Sequence, residues 1–142
     1  MDLGPGKGFC TFPLSKMVGD QGIIYAADIQ KKMLDIIELK AKKNNVRNIR
    51  TFNISENGFN MDIAFDFILM FWMLHEVREK EMLFEDIKRM LKDSGKILIV
   101  EPIIHVSNKK FKRILEIAAR TGFVTIDYPK ISVSRSALLT KG

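Results

Sequence analysis

The sequence predicts an α/β fold, with a doubly wound and mostly parallel sheet of seven strands. Short apolar runs alternate four times with amphipathic helical patterns, and the chain then closes with two strand-like segments joined by a turn at Pro129. Strands that alternate with helices form a parallel sheet with helices on both faces. Two consecutive strands without a helix between them pair antiparallel, so we expect an antiparallel C-terminal strand. The 142 residues suit a single domain over 1–142.

The first part of the chain supplies three strands and two helices. In order, these are a strand stub at 1–3, a helix over 9–18, a strand over 23–27, a helix over 30–43 and a strand over 48–53. Thr11 is the expected cap of the first helix, because its hydroxyl can accept a hydrogen bond from a free backbone N–H. The second strand is an apolar run that ends at Asp28, which is typical of a buried parallel strand.

The second part supplies four strands and two helices. In order, these are a strand over 65–71, a helix over 79–92, a strand over 96–101, a helix over 108–120 and two strands near 123–128 and 134–140. The first of these helices is expected to end at Asp93-Ser94-Gly95, since glycine commonly follows a helix. Ser107 is the expected cap of the second helix.

Composition excludes several classes of protein. A charged fraction of 28% beside 46% hydrophobic residues argues against disorder, and no apolar run reaches the ~18 residues of a membrane span. Cys10 is the single cysteine, so neither an internal disulfide nor a zinc site is expected. Met1 leads directly into a glycine-rich loop rather than a signal peptide, so a cytoplasmic location without a membrane partner is the expectation.

The net charge of +6 suits an acidic partner such as RNA. The lysines, however, are spread over the polar faces of separate helices, and few aromatic residues lie among them. A solvated surface with an excess of lysine is therefore the favoured interpretation, and an RNA partner is the alternative.

A glycine-rich loop follows the first strand. It has the sequence DLGPGKG, and its glycines allow a sharp turn and let a ligand approach the backbone closely. Such a loop alone is weak support for a ligand site, but Asp28 ends the second strand twenty residues after Gly8. A carboxylate there can accept hydrogen bonds from both hydroxyls of a ribose. The loop and the acid together predict a nucleoside site.

The spacing of the glycines distinguishes two kinds of nucleoside. The dinucleotide pattern G-x-G-x-x-G requires a glycine at position 9, where this chain has Phe9. The acid Asp2 precedes the first glycine, and its charge would repel a pyrophosphate but attract an ammonium group. The loop therefore favours a nucleoside that carries an amino acid over NAD. A nicotinamide-dependent oxidoreductase is the disfavoured alternative.

Longer stretches of the sequence carry a resemblance to a known family. The run DLGPGKGFCTFPLSKMVGDQGIIYAADI resembles the cofactor-binding half of class I S-adenosylmethionine-dependent methyltransferases, which have a Rossmann-like fold. The segments FDFILMFWMLHEV (65–77), LKDSGKILIVE (91–101) and the closing ALLTKG are similar to later strands and turns of that family. The resemblance implies S-adenosyl-L-methionine as the cofactor, methyl transfer as the reaction and no metal.

The same resemblance assigns the cofactor-binding residues. These are Asp2, Gly4, Pro5, Gly6, Asp28, Ile29, Asn53, Ile54, Met70 and Phe71. The loop would border the methionine part of the cofactor, Asp28 would hold the ribose hydroxyls and Ile29 would pack on the adenine. Asn53 stands where the family often has an Asp that contacts the adenine amino group. The backbone around Met70 and Phe71 would line the methyl-transfer end.

His75 is the candidate catalytic residue, because it is the one histidine near the expected site and an imidazole can act as a general base. A structural histidine at a strand end is the alternative, and Glu76 stands where many relatives have a second histidine. The segment Phe71-Trp72-Met73-Leu74 replaces the N/D-P-P-Y/F motif of enzymes that methylate amino groups of nucleic acids. This favours a small-molecule substrate, with RNA or protein as the alternative.

The N-terminal side departs from the family pattern. Only Met1 precedes Asp2, whereas relatives usually have more of the first strand and N-terminal helices that cover the substrate pocket. We therefore expect a shortened first strand, an N-terminally truncated domain and an open pocket. The alternative is a cofactor-binding module that is not catalytic by itself, or that depends on a homodimer or a partner chain to cover this side.

Overall fold

The computed structural model describes residues 1–55, 58–59 and 61–142, and the chain divides into two compact units, Met1–Asn60 and Met61–Gly142. The predicted fold class is confirmed as an α/β, Rossmann-like fold with a seven-stranded mixed sheet.

The first unit contains three parallel strands and two helices. Its elements are β1 (Asp2–Leu3), α1 (Thr11–Val18), β2 (Ile24–Asp28), α2 (Lys31–Lys43) and β3 (Ile49–Asn53). The strands lie in the order β3-β2-β1, and β1 pairs with Ala26 and Ala27 of β2. Both alanines are fully buried, as are Leu34 and Ile37 of the amphipathic helix α2. The shortened first strand is therefore confirmed at a length of two residues.

The second unit contains four strands, two α-helices and a short 3-10 turn. Its elements are β4 (Phe65–Phe71), a 3-10 turn (Leu74–Glu76), α3 (Lys80–Met90), β5 (Leu91–Pro102), α4 (Asn108–Arg120), β6 (Phe123–Asp127) and β7 (Ser134–Lys141). The strand order is β4-β5-β7-β6, with β4 and β5 parallel. Strand β7 runs antiparallel to both β5 and β6, which confirms the predicted antiparallel C-terminal strand.

Helix α4 shows how local sequence determines an element of this unit. Phe111, Ile114 and Ala118 recur at helical spacing and are all buried. The Ser107 hydroxyl accepts a hydrogen bond from the Lys110 backbone N–H at 3.2 Å, so the predicted cap is confirmed. None of the helices in the described part of the chain is long and apolar enough to cross a bilayer.

The prediction for the Thr11 cap is wrong. Cys10 occupies the N-cap position and makes no side-chain capping bond. The Thr11 hydroxyl instead donates to the Asp2 carboxylate at 2.6 Å, within the buried interior. A charged acceptor forms a stronger hydrogen bond with this hydroxyl than a backbone cap would provide.

The boundary between α3 and β5 also differs from the prediction. The helix ends at Met90 rather than 92, and the strand begins at once with Leu91, whose side chain is buried. Phe65 of β4 pairs with Leu91, and Phe67 pairs with Lys96, so the intervening residues of β5 form a bulge. Burial of Leu91 in the sheet therefore ends the helix earlier than the turn residues that follow it.

Candidate functional site

The glycine-rich loop leaves the end of β1 and folds back on itself. Gly4 donates a backbone hydrogen bond to the Ala27 carbonyl at 2.9 Å, and Gly8 donates to the Pro5 carbonyl at the same distance. Gly4, Gly6 and Gly8 all have positive φ angles, which favour glycine. No heavy atom lies within 4 Å of a Cβ placed on Gly6. The loop is therefore sharply turned and leaves open space beside Gly6.

Asp2 lies buried at the base of this loop. Its carboxylate is held by the Thr11 hydroxyl at 2.6 Å. Burial raises the pKa of Asp2 above its usual value, the hydrogen bond from Thr11 and the charge of the N-terminal ammonium group oppose this rise, and the charge of Asp28 adds to it. Asp2 and Asp28 therefore form a region of negative potential in the first unit, which suits a ligand that carries positive charge.

Asp28 ends β2 and is almost completely buried, at 7% exposure. One carboxylate oxygen, Oδ1, accepts a hydrogen bond from the Gln30 backbone N–H at 2.9 Å. This is the one protein hydrogen bond to the Asp28 carboxylate within the described residues. An ionised carboxylate has about four acceptor positions, so Asp28 retains acceptors for the two hydroxyls of a ribose.

Asn53 fixes the backbone around Asp28. Its amide nitrogen donates to the carbonyls of Asp28 and Ile29, at 2.9 and 3.1 Å, and the Ile54 backbone N–H also donates to the Asp28 carbonyl. The amide oxygen of Asn53 is left as an acceptor, which is the group that an adenine amino donor requires. Ile29 is 71% exposed beside it, and so offers an apolar surface to a flat ring.

The register brings these predicted residues to one edge of the first unit. Leu3 pairs with Ala27, and Asp28 pairs with Asn53, so β1, β2 and β3 end next to one another. Parallel strands present their ligand sites beyond such carboxyl ends. Eight of the predicted cofactor-binding positions belong to this edge: Asp2, Gly4, Pro5, Gly6, Asp28, Ile29, Asn53 and Ile54.

The other two predicted positions, Met70 and Phe71, belong to the second unit. They end β4, where the Met70 side chain is fully buried and the Phe71 ring is half-buried. Trp72 follows with a φ of 56°, stacks on Phe71 at 5.2 Å and donates its indole N–H to the Ser134 hydroxyl. Because Met70 is enclosed, its backbone rather than its side chain is what this strand end offers to a ligand.

His75 lies in the 3-10 turn after β4 and is held by Glu101. The His75 Nδ1 atom lies 2.7 Å from Oε2 of Glu101, which is the last residue but one of β5 and is fully buried. The two oxygens of Glu101 also accept the backbone N–H groups of Leu74 and His75, at 3.0 and 3.1 Å. A hydrogen bond from Nδ1 to a carboxylate leaves the second ring nitrogen, Nε2, as a proton acceptor.

Glu101 is the residue that sequence reasoning missed. It was predicted only as the last residue of a buried strand. Burial raises the pKa of Glu101 above its usual value, while the charge and hydrogen bond of His75 and the two backbone hydrogen bonds oppose this rise. Its signal in the sequence was the same as that of Asp28, an acid at the carboxyl end of an apolar run.

A second histidine lies beside this pair. The His105 ring stacks on the His75 ring with 5.9 Å between centroids and an angle of 14° between their planes. Both rings line a cavity of about 450 Å³ that is formed by residues of the second unit. This volume lies within the range of small-molecule sites.

Cys10 lies next to the glycine-rich loop. Burial, and to a lesser extent the charge of Asp2, raises its pKa to about 11. The thiol is therefore protonated at neutral pH, which does not suit a nucleophile. Among the described residues, no group of three His, Cys, Asp or Glu side chains is arranged to hold a metal ion.

Comparison with known proteins relates this arrangement to methyltransferases. The model of a family described as "Methyltransferase domain" matches residues 1–99. The ubiquinone/menaquinone biosynthesis C-methyltransferase UbiE of Vibrio campbellii is 34% identical over 118 residues, which cover 78% of this chain and 45% of that protein. The corresponding protein of Shewanella frigidimarina is 32% identical over 103 residues, which cover 71% and 41%. The chain thus spans less than half the length of these curated relatives.

Solved structures share the whole fold. A SAM-dependent methyltransferase from Aquifex aeolicus superposes with a TM-score of 0.89 at 25% identity, over 99% of this chain and 80% of that one. A putative S-adenosyl-L-methionine-dependent methyltransferase from Methanococcus maripaludis superposes with a TM-score of 0.82 at 19% identity, over 99% and 75%. The second likeness is one of fold alone.

Proposed function

Because this chain belongs to the methyltransferase domain family, and to the class I S-adenosylmethionine-dependent methyltransferases, we propose that it binds S-adenosyl-L-methionine and transfers its methyl group to a small molecule. The proposal treats residues 1–142 as one cofactor-binding domain. It depends chiefly on one observation, the buried Asp28 carboxylate with unused acceptors at the end of β2, beside the open space at Gly6.

The residues of the first unit fit the chemical groups of this cofactor. Asp28 would accept hydrogen bonds from the ribose hydroxyls, and the Asn53 amide oxygen would accept one from the adenine amino group. The exposed Ile29 would cover the adenine ring. The negative potential of Asp2 and the bare backbone of Gly4 to Gly6 would suit the ammonium group of the methionine part. Met70 and Phe71 remain proposed contacts of the methyl-transfer end.

When bound, this cofactor supplies a methyl group on a positively charged sulfur, which is already an activated leaving group. The chain therefore has to position the acceptor, exclude water and remove a proton where the acceptor atom carries one. His75 is the proposed base, because Nδ1 is held by Glu101 and Nε2 is left to take the proton. The Glu101 carboxylate would stabilise the imidazolium that forms.

The relatives support a small-molecule acceptor. The UbiE proteins are named as C-methyltransferases of ubiquinone and menaquinone biosynthesis. A carbon acceptor loses a proton when it is methylated, so a base such as His75 suits an acceptor of this kind. An RNA or protein acceptor is the alternative, and methyl-transfer assays with each class of substrate would distinguish it from a small molecule.

Calorimetric titration of the purified chain with S-adenosyl-L-methionine tests the proposal, with NAD as the control nucleotide. We expect micromolar binding of the former and none of the latter. Asp28→Ala should weaken that binding by about 1–3 kcal/mol, which is about 5- to 150-fold, because the ribose hydroxyls lose their acceptor.

Asp35→Ala is the matched control for this variant. It also removes a carboxylate from the first unit, but Asp35 is an exposed residue of α2 that pairs with Lys31. Its affinity should equal that of the unmodified chain. Equal weakening by the two variants, or binding of NAD instead, would contradict the assignment of the site to Asp28.

A further inference from the structure

The cavity beside His75 has a strongly basic lining. Arg78 and Lys80, around the start of α3, and Lys110 and Arg113, on α4, all border it. Arg78, Lys110 and Arg113 form no ion pair with any acid in the described ranges, 1–55, 58–59 and 61–142. In the part of the chain that the structure describes, three side-chain cations therefore border one cavity without an acidic partner.

The acids in the same lining do not neutralise these cations. Glu79 and Glu81 also border the cavity, but Glu81 is paired with Arg120 at 2.6 Å. The net charge of the lining is thus positive even with both imidazoles neutral. An anion in this volume would gain charge-assisted hydrogen bonds, and an arginine can hold a carboxylate or phosphate through two parallel ones.

The remaining wall of the cavity is apolar. Ile114 and Ile117 follow Lys110 and Arg113 on the same face of α4, at i, i+3, i+4 and i+7 spacing. Val106 joins them from the preceding loop. The cavity therefore offers cations to one part of a ligand and an apolar surface to the rest.

The proposed base lines the same cavity. His75 is held at Nδ1 by Glu101, and Nε2 lies 4.0 Å from its nearest acid, the Glu76 carboxylate, which is beyond hydrogen-bond distance. The His105 ring stacks on it. A ligand held by the cations would thus lie in the same cavity as a free proton acceptor.

We infer that this cavity is the acceptor site and that it selects a small anionic molecule, which carries a carboxylate or a phosphate on an apolar body. The anionic group binds Arg78, Lys110 and Arg113, and the body lies on Ile114 and Ile117. This assignment rests on the proposed function, since it names the class of substrate for that reaction.

A polyanion such as RNA fits the cavity less well. The volume of about 450 Å³ suits a compact ligand, and the described residues of the lining include no Phe, Tyr or Trp on which bases would stack. Glu79 at its border would repel a continuous phosphate chain. The observations therefore favour a small anion, and RNA becomes one outcome of the test.

The test uses benzoate and phenyl phosphate as anionic probes and benzyl alcohol as a neutral probe of similar size. Binding is followed by the NMR signals of the two histidine rings, which both line the cavity. We expect the anions to shift these signals in a saturable way and benzyl alcohol to bind at least tenfold more weakly. Comparison of benzoate with phenyl phosphate shows which anionic group the site prefers.

Two double variants locate the effect. K110Q/R113Q removes two cations of the lining, whereas K109Q/K112Q removes the same charge from positions of α4 outside it. The first should weaken binding of the anions about tenfold or more, and the second should change it less than twofold. Equal weakening by both variants, or equal binding of the neutral probe, would overturn the proposal.

Two further titrations separate this inference from the proposed function. S-adenosyl-L-methionine should bind K110Q/R113Q as it binds the unmodified chain. If the chain binds the cofactor but does not bind the anions selectively, the anion site is overturned and the proposed function stands. If the chain binds the anions selectively but does not bind the cofactor, the anion site is supported and the proposed function fails. A single-stranded RNA is the last probe. If it binds more tightly than both anions, and its binding depends equally on both pairs of cations, the ligand is RNA and the proposal of a small anion is overturned.

Discussion

Asp28 and Glu101 each end an apolar strand with a buried acid, but the two carboxylates have different surroundings. Among the described residues, Asp28 accepts one hydrogen bond, from the Gln30 backbone N–H. Glu101 accepts three, from the backbone of Leu74, the backbone of His75 and the His75 ring. The first carboxylate has acceptors left for a ligand, whereas the second is occupied by the turn that carries the proposed base.

The difference shows what separates a ligand-binding acid from a supporting one. Both strands have the same pattern in the sequence, an apolar run closed by Asp or Glu. The number of protein donors around each carboxylate is what differs, and these donors come from other segments of the chain. Removal of Asp28 should therefore affect a ligand, and removal of Glu101 should affect the stability of the chain.

The largest effect on stability is expected for Glu101→Gln. The variant keeps the size of the side chain, but one oxygen and an amide NH₂ must then face three donors. Buried N–H groups lose their acceptor, so we expect the free energy of unfolding to fall by about 1–3 kcal/mol. Urea denaturation monitored by circular dichroism measures this change. The slope of the free energy of unfolding against urea concentration should be the same for both chains, as expected when both unfold in a two-state transition.

Asp28→Ala is the counterpart in this comparison. It loses one protein hydrogen bond, so its free energy of unfolding should fall by only about 0.5–1.5 kcal/mol, while its affinity for S-adenosyl-L-methionine falls as described above. Glu101→Gln should keep that affinity. A stable Glu101→Gln variant, or one that loses cofactor binding while folded, would show that the two acids do not divide the roles in this way.

Two glycines sharpen the comparison on the ligand side. Gly6 and Gly19 both have positive φ angles, 52° and 67°, and open space where a Cβ would be. Alanine at either position should destabilise the chain through backbone strain, by about 1–3 kcal/mol, and the ψ of −167° at Gly19 places that residue in a region that is essentially restricted to glycine. Only Gly6→Ala should also weaken S-adenosyl-L-methionine binding, because its methyl group would occupy the space proposed for the ligand.

Thermal unfolding and calorimetric titration of both variants provide the measurements. Because alanine is strained at Gly19 as well, Gly19→Ala controls for any general loosening of the first unit. Equal affinities of the two variants for the cofactor would mean that the loop at Gly6 does not approach the ligand.

Much of the fold could be predicted from local pattern. The bounds of β4 and α4 are those predicted, since β4 is a continuous apolar run and α4 has a buried stripe and a serine cap. The boundary between α3 and β5 could not be predicted, because the burial of Leu91 in the sheet depends on its pairing with Phe65. In the sequence, a helix that ends at Met90 and a helix that continues through Leu91 have the same apolar pattern, so the pattern does not locate the end of the helix.

The site was predictable where a residue acts from its own strand end. Asp28 follows from the pattern of β2, and the resemblance to a family supplied Gly4, Gly6 and Asn53. The role of Glu101 could not be predicted, since its partners lie 26 and 27 residues earlier in the chain. The Thr11 hydroxyl was assigned to a cap for the same reason, because its partner Asp2 approaches only when the loop is folded.

The smallest effect is expected for Asp2→Asn, and it tests the third buried acid. Burial and the charge of Asp28 raise the pKa of Asp2, so the folded chain is destabilised when this carboxylate ionises. The cost is absent below the usual pKa, grows as the pH rises from the usual pKa to the raised one, and is complete above the raised one. Asparagine still accepts the Thr11 hydrogen bond but carries no charge. The variant should therefore unfold a few degrees higher than the unmodified chain at pH 7.

This advantage should disappear in acid, where the unmodified Asp2 is protonated as well, and thermal unfolding at a series of pH values measures it. Asp2→Asn should at the same time bind S-adenosyl-L-methionine more weakly, because the proposed attraction for the ammonium group is lost. Asp2 would then resemble Asp28, an acid kept for a ligand at some cost to the folded chain. A variant that is less stable than the unmodified chain at pH 7 would instead place Asp2 with Glu101, as a carboxylate that the fold itself requires.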